Sequence, residues 1–159
     1  MFVSQSGETK DLLNAEETAK KIPGVKTIGV INVVGSALAR KVDCPVYTNV
    51  GREVAVGATK SFSHQILNLL AIALKIAEQK GFATCPKSLD LKSDLEHIMD
   101  NFRLSVDSVR EKCKEVANAL KNKESLYLLA KSEALAIAKE GALKIKELCY
   151  IHAEAFGAS

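Results

Sequence analysis

The chain has 159 residues, 47% of them hydrophobic and 26% charged, with a formal net charge of +3. That length suits one domain of ordinary size, and the apolar content supports a packed core and excludes a disordered tail. Residues 1–80 hold ten basic and seven acidic side chains and residues 81–159 twelve of each. Neither half has the basic excess of a nucleic-acid binder, and aromatic residues are only 5% with no Trp. The longest strongly apolar stretch, Ile66 to Ala77, contains Asn68 and Lys75 and is too short to span a bilayer. No charged start followed by an apolar run opens the chain, so a cytoplasmic location without a membrane partner is expected. Cys44, Cys85, Cys113 and Cys149 make no C-x-x-C pair, and His64, His97 and His152 make no H-E-x-x-H. The expectation is therefore no metal, with reduced and mostly buried thiols.

In chain order, Phe2 and Val3 end a strand that runs into the turn Ser4-Gln5-Ser6-Gly7. Glu8 to Lys21 favours helix, closed by Pro23-Gly24. Lys26 to Val33 is a short, nearly continuous β-branched run, as in a strand covered on both faces. Ser36 to Val42 predicts a short helix and Pro45 to Val50 another strand. This alternation implies crossovers and a parallel sheet. Thr59 to Lys80 predicts a long helix whose apolar residues cover more than one face, so deep packing is expected. Gly81 to Pro86 is the candidate linker, with Gly81 as helix C-cap. Apolar residues then recur in steps of three and four from 91 to 120, which favours one or two packed helices over a dimer zipper, with Ser105 and Asp107 allowing a break. Leu126 to Ala130 predicts a strand and Ser132 to Tyr150 a helix.

Ser4-Gln5-Ser6-Gly7-Glu8-Thr9 crowds three hydroxyls and a glycine between a strand end and a helix start. Free amides of a first helical turn, the positive end of the helix dipole and short hydroxyl donors together make a phosphate cup. The alternative is an ordinary helix start, with Ser6 as cap and Thr9 in the first turn. Phosphate binding is favoured because the whole string sits at the carboxyl end of a strand. Lys144 and Glu147, three apart, share a helix face within ion-pair reach; by spacing alone such a pair is a solvated surface contact. Gly51 and Gly57 bracket a loop suited to the wall of a site, Lys60 at a helix start is either a solvated side chain, the commoner case, or a partner for an anion, and His152 is expected to be structural or superficial.

SQSGET in this setting resembles the phosphate-binding turn of sugar isomerase (SIS) domains. Together with Glu53 to Lys60 (EVAVGATK), Glu140 to Glu147 (EGALKIKE) and Tyr150 to Glu154 (YIHAE), it resembles the isomerase half of glutamine–fructose-6-phosphate aminotransferases. The resemblance runs through nearly the whole chain and is least specific from about 82 to 123. It implies an α/β fold, a partial three-layer α/β/α parallel sheet of SIS type with a helical connector. Residues 1–81 would be the C-terminal part of a first SIS subdomain, 82–124 the connector and 125–159 the start of a second.

The resemblance also implies roles. Ser4, Gln5, Ser6 and Thr9 would hold the sugar phosphate, and the Val56 backbone would face the sugar chain. Ala58 stands where the family often has a sugar-binding serine. Glu147 would move a proton between C1 and C2, assisted by Lys144, because one carboxylate fixed near both carbons can remove and return it while a cation stabilises the enediol-like charge. No organic cofactor or metal is implied. The partner would be a small sugar phosphate such as fructose 6-phosphate or glucosamine 6-phosphate, in a homodimer or a site completed by a partner chain. Relative to that family the chain is expected to be truncated at both ends, to lack the glutaminase half and to leave strand edges unpaired. Leu129-Ala130-Lys131 replaces the Gly-rich turn expected after the 126–128 strand. The alternatives of another class are a non-catalytic sugar-phosphate binding module or inactive fragment, and a structural helical partner.

Overall fold

The computed structural model describes residues 1–81 and 91–158, which fall into two compact units, Met1–Cys85 and Pro86–Ser159. In the first unit, β1 (Phe2–Ser4), β2 (Ile28–Ile31) and β3 (Cys44–Tyr47) form a parallel sheet in the order β1-β2-β3. Helix α1 (Lys10–Lys20) connects the first pair, α2 (Ala37–Lys41) the second, and α3 (Lys60–Gln79) follows the sheet. The registers Val3↔Val30 and Val30↔Val46 align the three strands, so their carboxyl ends lie along one edge.

The continuous apolar run of β2 is central and Gly29, Val30 and Ile31 are all buried, as a strand covered on both faces requires. Ile31 packs with Leu38, Ala39 and Val42 of the α2 segment, flanked by Phe2, Leu12, Leu13 and Tyr47. Gly29 makes this packing possible, since a Cβ there would lie 2.8 Å from Ile31 Cδ1 and 3.2 Å from Val42 Cγ2. At the other end of the strands, Thr27 and Asp43 clasp each other. The Thr27 amide and hydroxyl both donate to Asp43 Oδ2, at 2.8 and 2.9 Å, and the Asp43 amide donates back to Thr27 Oγ1 at 3.0 Å.

In the second unit, α4 (Leu91–Leu120) is followed by β4 (Ser125–Ala130), α5 (Ala134–Cys149) and β5 (His152–Gly157). The strands pair in parallel from Ser125↔His152 to Ala130↔Gly157, and α5 is the crossover that packs on both. Ala153 and Ala142 are the buried contacts where α5 lies close to the strands.

Several expectations need correction. The α3 helix is not deeply packed: it lies against β2, and Ile66, Leu67, Leu70 and Ile76 are exposed. Its apolar pattern exceeds the one face that β2 covers. Of the one or two helices expected from 91 to 120 there is one: α4 runs for 30 residues, about 45 Å, without a break at Ser105 or Asp107. The Ser105 hydroxyl donates to the Phe102 carbonyl and Ser108 to Ser105, so both serines are satisfied inside the helix. Cys44, Cys113 and Cys149 are exposed rather than buried, and Cys85 lies outside the described residues. Gly81 does close α3, at φ +68° with its amide donating to the Glu78 carbonyl, while the rest of the expected linker lies outside the described residues. Strand β5 was not foreseen. Among the described residues no helix is long and apolar enough to cross a membrane.

Leu38 is fully buried at the centre of the first unit. Leu38→Ala is expected to cost about 2–5 kcal/mol in urea unfolding, whereas Leu70→Ala, on the uncovered face of α3, should cost less than half as much.

Candidate functional site

The turn after β1 has its own hydrogen-bond logic. The Gly7 amide donates to Ser4 Oγ at 2.9 Å and the Glu8 amide to Ser6 Oγ at 3.2 Å. Each hydroxyl is therefore used as an acceptor and keeps its own hydrogen for another group. Ser6 does not cap α1, as the ordinary helix-start alternative requires. The cap position belongs to Thr9, whose side chain makes no cap bond, and among the described residues no other side chain bonds to the first-turn amides. Ser4 is buried, Gln5 and Ser6 are half-buried, and Thr9 is exposed at the head of the helix. The two amide–hydroxyl bonds inside the turn leave fewer free amides than its composition suggests, and the donors that remain are the hydroxyls and the start of α1.

Gln5 joins this turn to a cavity of about 480 Å³, lined also by Asn32, Val33, Val34, Asn49, Gly51, Arg52 and Glu53. Its carbonyl accepts the amides of both Asn32 and Val33 at 3.3 Å, which ends the ladder between β1 and β2. The Asn32 side chain holds the opposite wall. Its Oδ1 accepts from Thr48 Oγ1 at 2.9 Å and from the Val50 amide at 3.2 Å, and its Nδ2 donates to the Gly51 carbonyl at 2.7 Å. That network fixes a tight turn in which Asn49 and Gly51 take positive φ, +54° and +69°. Asn32 was missed from sequence. Its one signal was a carboxamide at the end of an otherwise apolar strand.

The loop beyond is tied to α3. Glu53 Oε2 accepts the Ser61 amide at 3.0 Å, and Lys60 Nζ donates to the Arg52 carbonyl at 2.9 Å. The Ser61 amide is the main reason the Glu53 carboxyl is held below its ordinary value, partly opposed by burial. Val56, assigned to the sugar chain, is 84% exposed and is not among the residues lining the cavity.

In the second unit, Lys144 Nζ lies 2.9 Å from Glu147 Oε2 and 3.3 Å from Glu140 Oε1. The three side chains are only 20–33% exposed, unlike a solvated surface pair. The hydrogen bond that Lys144 donates to Glu147 raises the Lys144 pKa above its ordinary 10.5, opposed by burial and reinforced by Glu140. Lys144 is therefore cationic throughout the neutral range, and the stability contributed by its raised pKa is lost as pH rises past 10.5 through the raised value. Glu140 was in the motif but was not singled out. His152 is exposed on β5, with Nδ1 3.1 Å from Ser125 Oγ and Nε2 3.6 Å from Glu154, which also pairs with Lys146. Among the described residues no three His, Cys, Asp or Glu side chains converge to hold a metal.

Asn32→Ala is expected to cost about 1–3 kcal/mol in urea unfolding, because it leaves the buried Thr48 hydroxyl and the Val50 amide without their acceptor. Asn32→Asp should be no better, since it turns an acceptor toward the Gly51 carbonyl. For Glu53 the folded pKa is the depressed one, so its stabilisation is complete above the ordinary 4.5 and is lost as pH falls through the folded value. The stability difference between the native chain and Glu53→Gln should be flat from about pH 5.5 to 7 and change only at lower pH in urea titrations.

Residues 1–75 match the family model of the SIS domain. Over 98% of its length the chain is 40% identical to a glutamine–fructose-6-phosphate aminotransferase (isomerizing) of Pyrobaculum aerophilum, and 37% identical to that of Thermococcus kodakarensis. It covers 25% and 26% of those proteins, so it spans about a quarter of their length. The solved C-terminal domain of glucosamine-fructose-6-phosphate aminotransferase from Francisella tularensis superposes with a TM-score of 0.88 at 33% identity, over 98% of this chain and 44% of that one. Residues 1–75 thus match the SIS domain, and over nearly its whole length the chain is similar to part of the isomerase region of glutamine–fructose-6-phosphate aminotransferase.

Proposed function

We propose that the chain binds a ketohexose 6-phosphate, fructose 6-phosphate in the first instance, and contributes to its isomerisation to the aldose. In the aminotransferase this would be coupled to amination, with glutamine as the nitrogen source and glucosamine 6-phosphate as the product. Ser4, Gln5, Ser6 and Thr9 hold the phosphate, and the Val56 backbone faces the sugar chain. Residues 1–81 serve as the C-terminal part of one SIS subdomain, 82–124 as a connector and 125–159 as the start of a second. The observation that carries the phosphate assignment is the turn itself. Ser4 and Ser6 accept amides of their own turn and keep their hydrogens to donate, and the head of α1 has no side-chain cap. Support for the chemistry comes from the half-buried group around Lys144. Glu147 takes a proton from C1 of the open-chain ketose or its imine and returns it to C2, while the O1 hydroxyl gives up its proton and the oxygen or nitrogen on C2 gains one. The Lys144 ammonium offsets the negative charge that develops between the two steps.

A binding module without catalysis is the second reading, favoured by one observation: the turn and its cavity are formed entirely by residues of the first unit. The two are separated by following fructose 6-phosphate in D2O by NMR, with calorimetry for binding. Isomerisation predicts deuterium entering at C1 of the ketose and at C2 of the aldose formed from it, reduced about 10²- to 10⁴-fold in Glu147→Gln with binding kept within a few-fold. Exchange that survives the substitution removes Glu147 from the chemistry. Binding without any exchange in the unaltered chain establishes the module, and no binding refutes the phosphate assignment.

A further inference from the structure

Glu8 is an electrostatic anomaly. It stands between Gly7 and Thr9, in the middle of a turn assigned to an anion, where a free carboxylate would repel the ligand. Its side chain is turned away from that role. Glu8 Oε1 accepts the amide of Ala37, the first residue of α2, at 2.8 Å. The next amide, that of Leu38, donates to the Gly7 carbonyl at 2.9 Å. The preceding residue, Ser36, fills the space beneath Gly7, which has φ +67°. A Cβ on Gly7 would come within 2.7 Å of Ser36 Cβ and 3.1 Å of Ile31 Cγ2. Three successive residues at the start of α2 thus grip two successive residues of the turn.

We propose that Glu8 is a positioning residue of the phosphate turn: by accepting from Ala37 it locks Gly7 to Thr9 onto α2 and directs its own charge into that helix rather than toward the ligand. The inference rests on the phosphate-binding reading and adds to it the group that sets the shape of the turn. Two elements of its geometry are separable. The acceptor oxygen holds the turn, whereas the charge is dispensable once the oxygen is in place, so a carboxamide of the same length should substitute for it. Shortening the side chain by one methylene should not.

The test is calorimetric titration of the full chain with fructose 6-phosphate, alongside a thermal melt. Glu8→Ala is expected to weaken binding roughly tenfold to a hundredfold, and Glu8→Gln to restore it to within about threefold of the native value. A merely structural role would lower the melting temperature and leave the affinity of the folded protein unchanged. Native affinity in folded Glu8→Ala overturns the proposal, and so does equal weakening by Ala and Gln, which would make the charge itself the ligand-facing element. If Glu8→Ala does not fold, Glu8→Asp decides: weaker binding supports the proposal and native affinity overturns it. Failure of the unaltered chain to bind is a different result, because it removes the phosphate reading on which the inference stands.

Discussion

The amides of Asn32 and Val33 share one acceptor, the carbonyl of Gln5, and that sharing sets where the sheet stops and the site begins. Up to Ser4↔Ile31 the first two strands run in register. One residue later the chain after β2 folds over the end of β1 instead of extending the ladder. Open parallel sheets present their ligand crevices at the carboxyl ends of the strands, where successive loops diverge. Here the divergence leaves the Gln5 side chain on one wall and frees the Asn32 side chain to organise the other through Thr48, Val50 and Gly51. A single strand end therefore arranges the serine-rich turn and the glycine-bounded loop together.

Helices α2 and α3 of the first unit are capped from a distance. Neither Ser36 at the head of α2 nor Thr59 at the head of α3 makes a side-chain cap bond. The missing acceptors arrive from elsewhere: Glu8, 29 residues before α2, and Glu53, eight residues before Ser61 of α3. Each carboxylate ties a loop of the candidate site to a helix start while its negative charge is matched by helix amides. Helix α1 also lacks a side-chain cap, but among the described residues no carboxylate bonds to its first-turn amides. Glu8 in the turn and Glu53 in the cavity wall are thus both engaged by helix amides, and the head of α1 carries no side-chain cap bond from Thr9.

What could be read from sequence was local in origin. A β-branched run bounded by turn residues is enough to predict β2, and SQSGET between a strand end and a helical pattern is enough to place the turn, because both signals lie within ten residues. The i, i+3 spacing likewise put Lys144 and Glu147 on one face. The misses were non-local. His-Ala-Glu-Ala-Phe-Gly has little intrinsic strand preference, and β5 exists because α5 delivers it alongside β4, 27 residues apart in register. Asn32 matters because of residues 48–51, which only the β2–β3 pairing brings near. The apolar pattern of α3 signals burial but says nothing of which partner covers each face, and among the described residues the far face of α3 is exposed. The 91–120 pattern fits one helix or two, because the bond that lets Ser105 sit inside a single helix, its hydroxyl donating to the Phe102 carbonyl, is an option that propensity does not encode.

The same limit applies to the charged face of α5. Taken as a pair, Lys144 and Glu147 sum to zero, and a neutral pair is a poor acceptor for a proton drawn from carbon. Glu140, one turn earlier, changes the count. With Lys144 kept cationic by its carboxylate neighbours, one ammonium between two carboxylates leaves a net charge of −1 on a half-buried face. Incomplete exposure strengthens each of these interactions relative to bulk water. Such a group offers a carboxylate in excess of its counter-ion and, within 3 Å of that carboxylate, a cation for a developing oxyanion. The proton transfer proposed for Glu147 calls for both at once. The spacing i−4, i, i+3 in EGALKIKE supplies them on one helix face, so the motif is better understood as a triad with a surplus of one negative charge than as an ion pair.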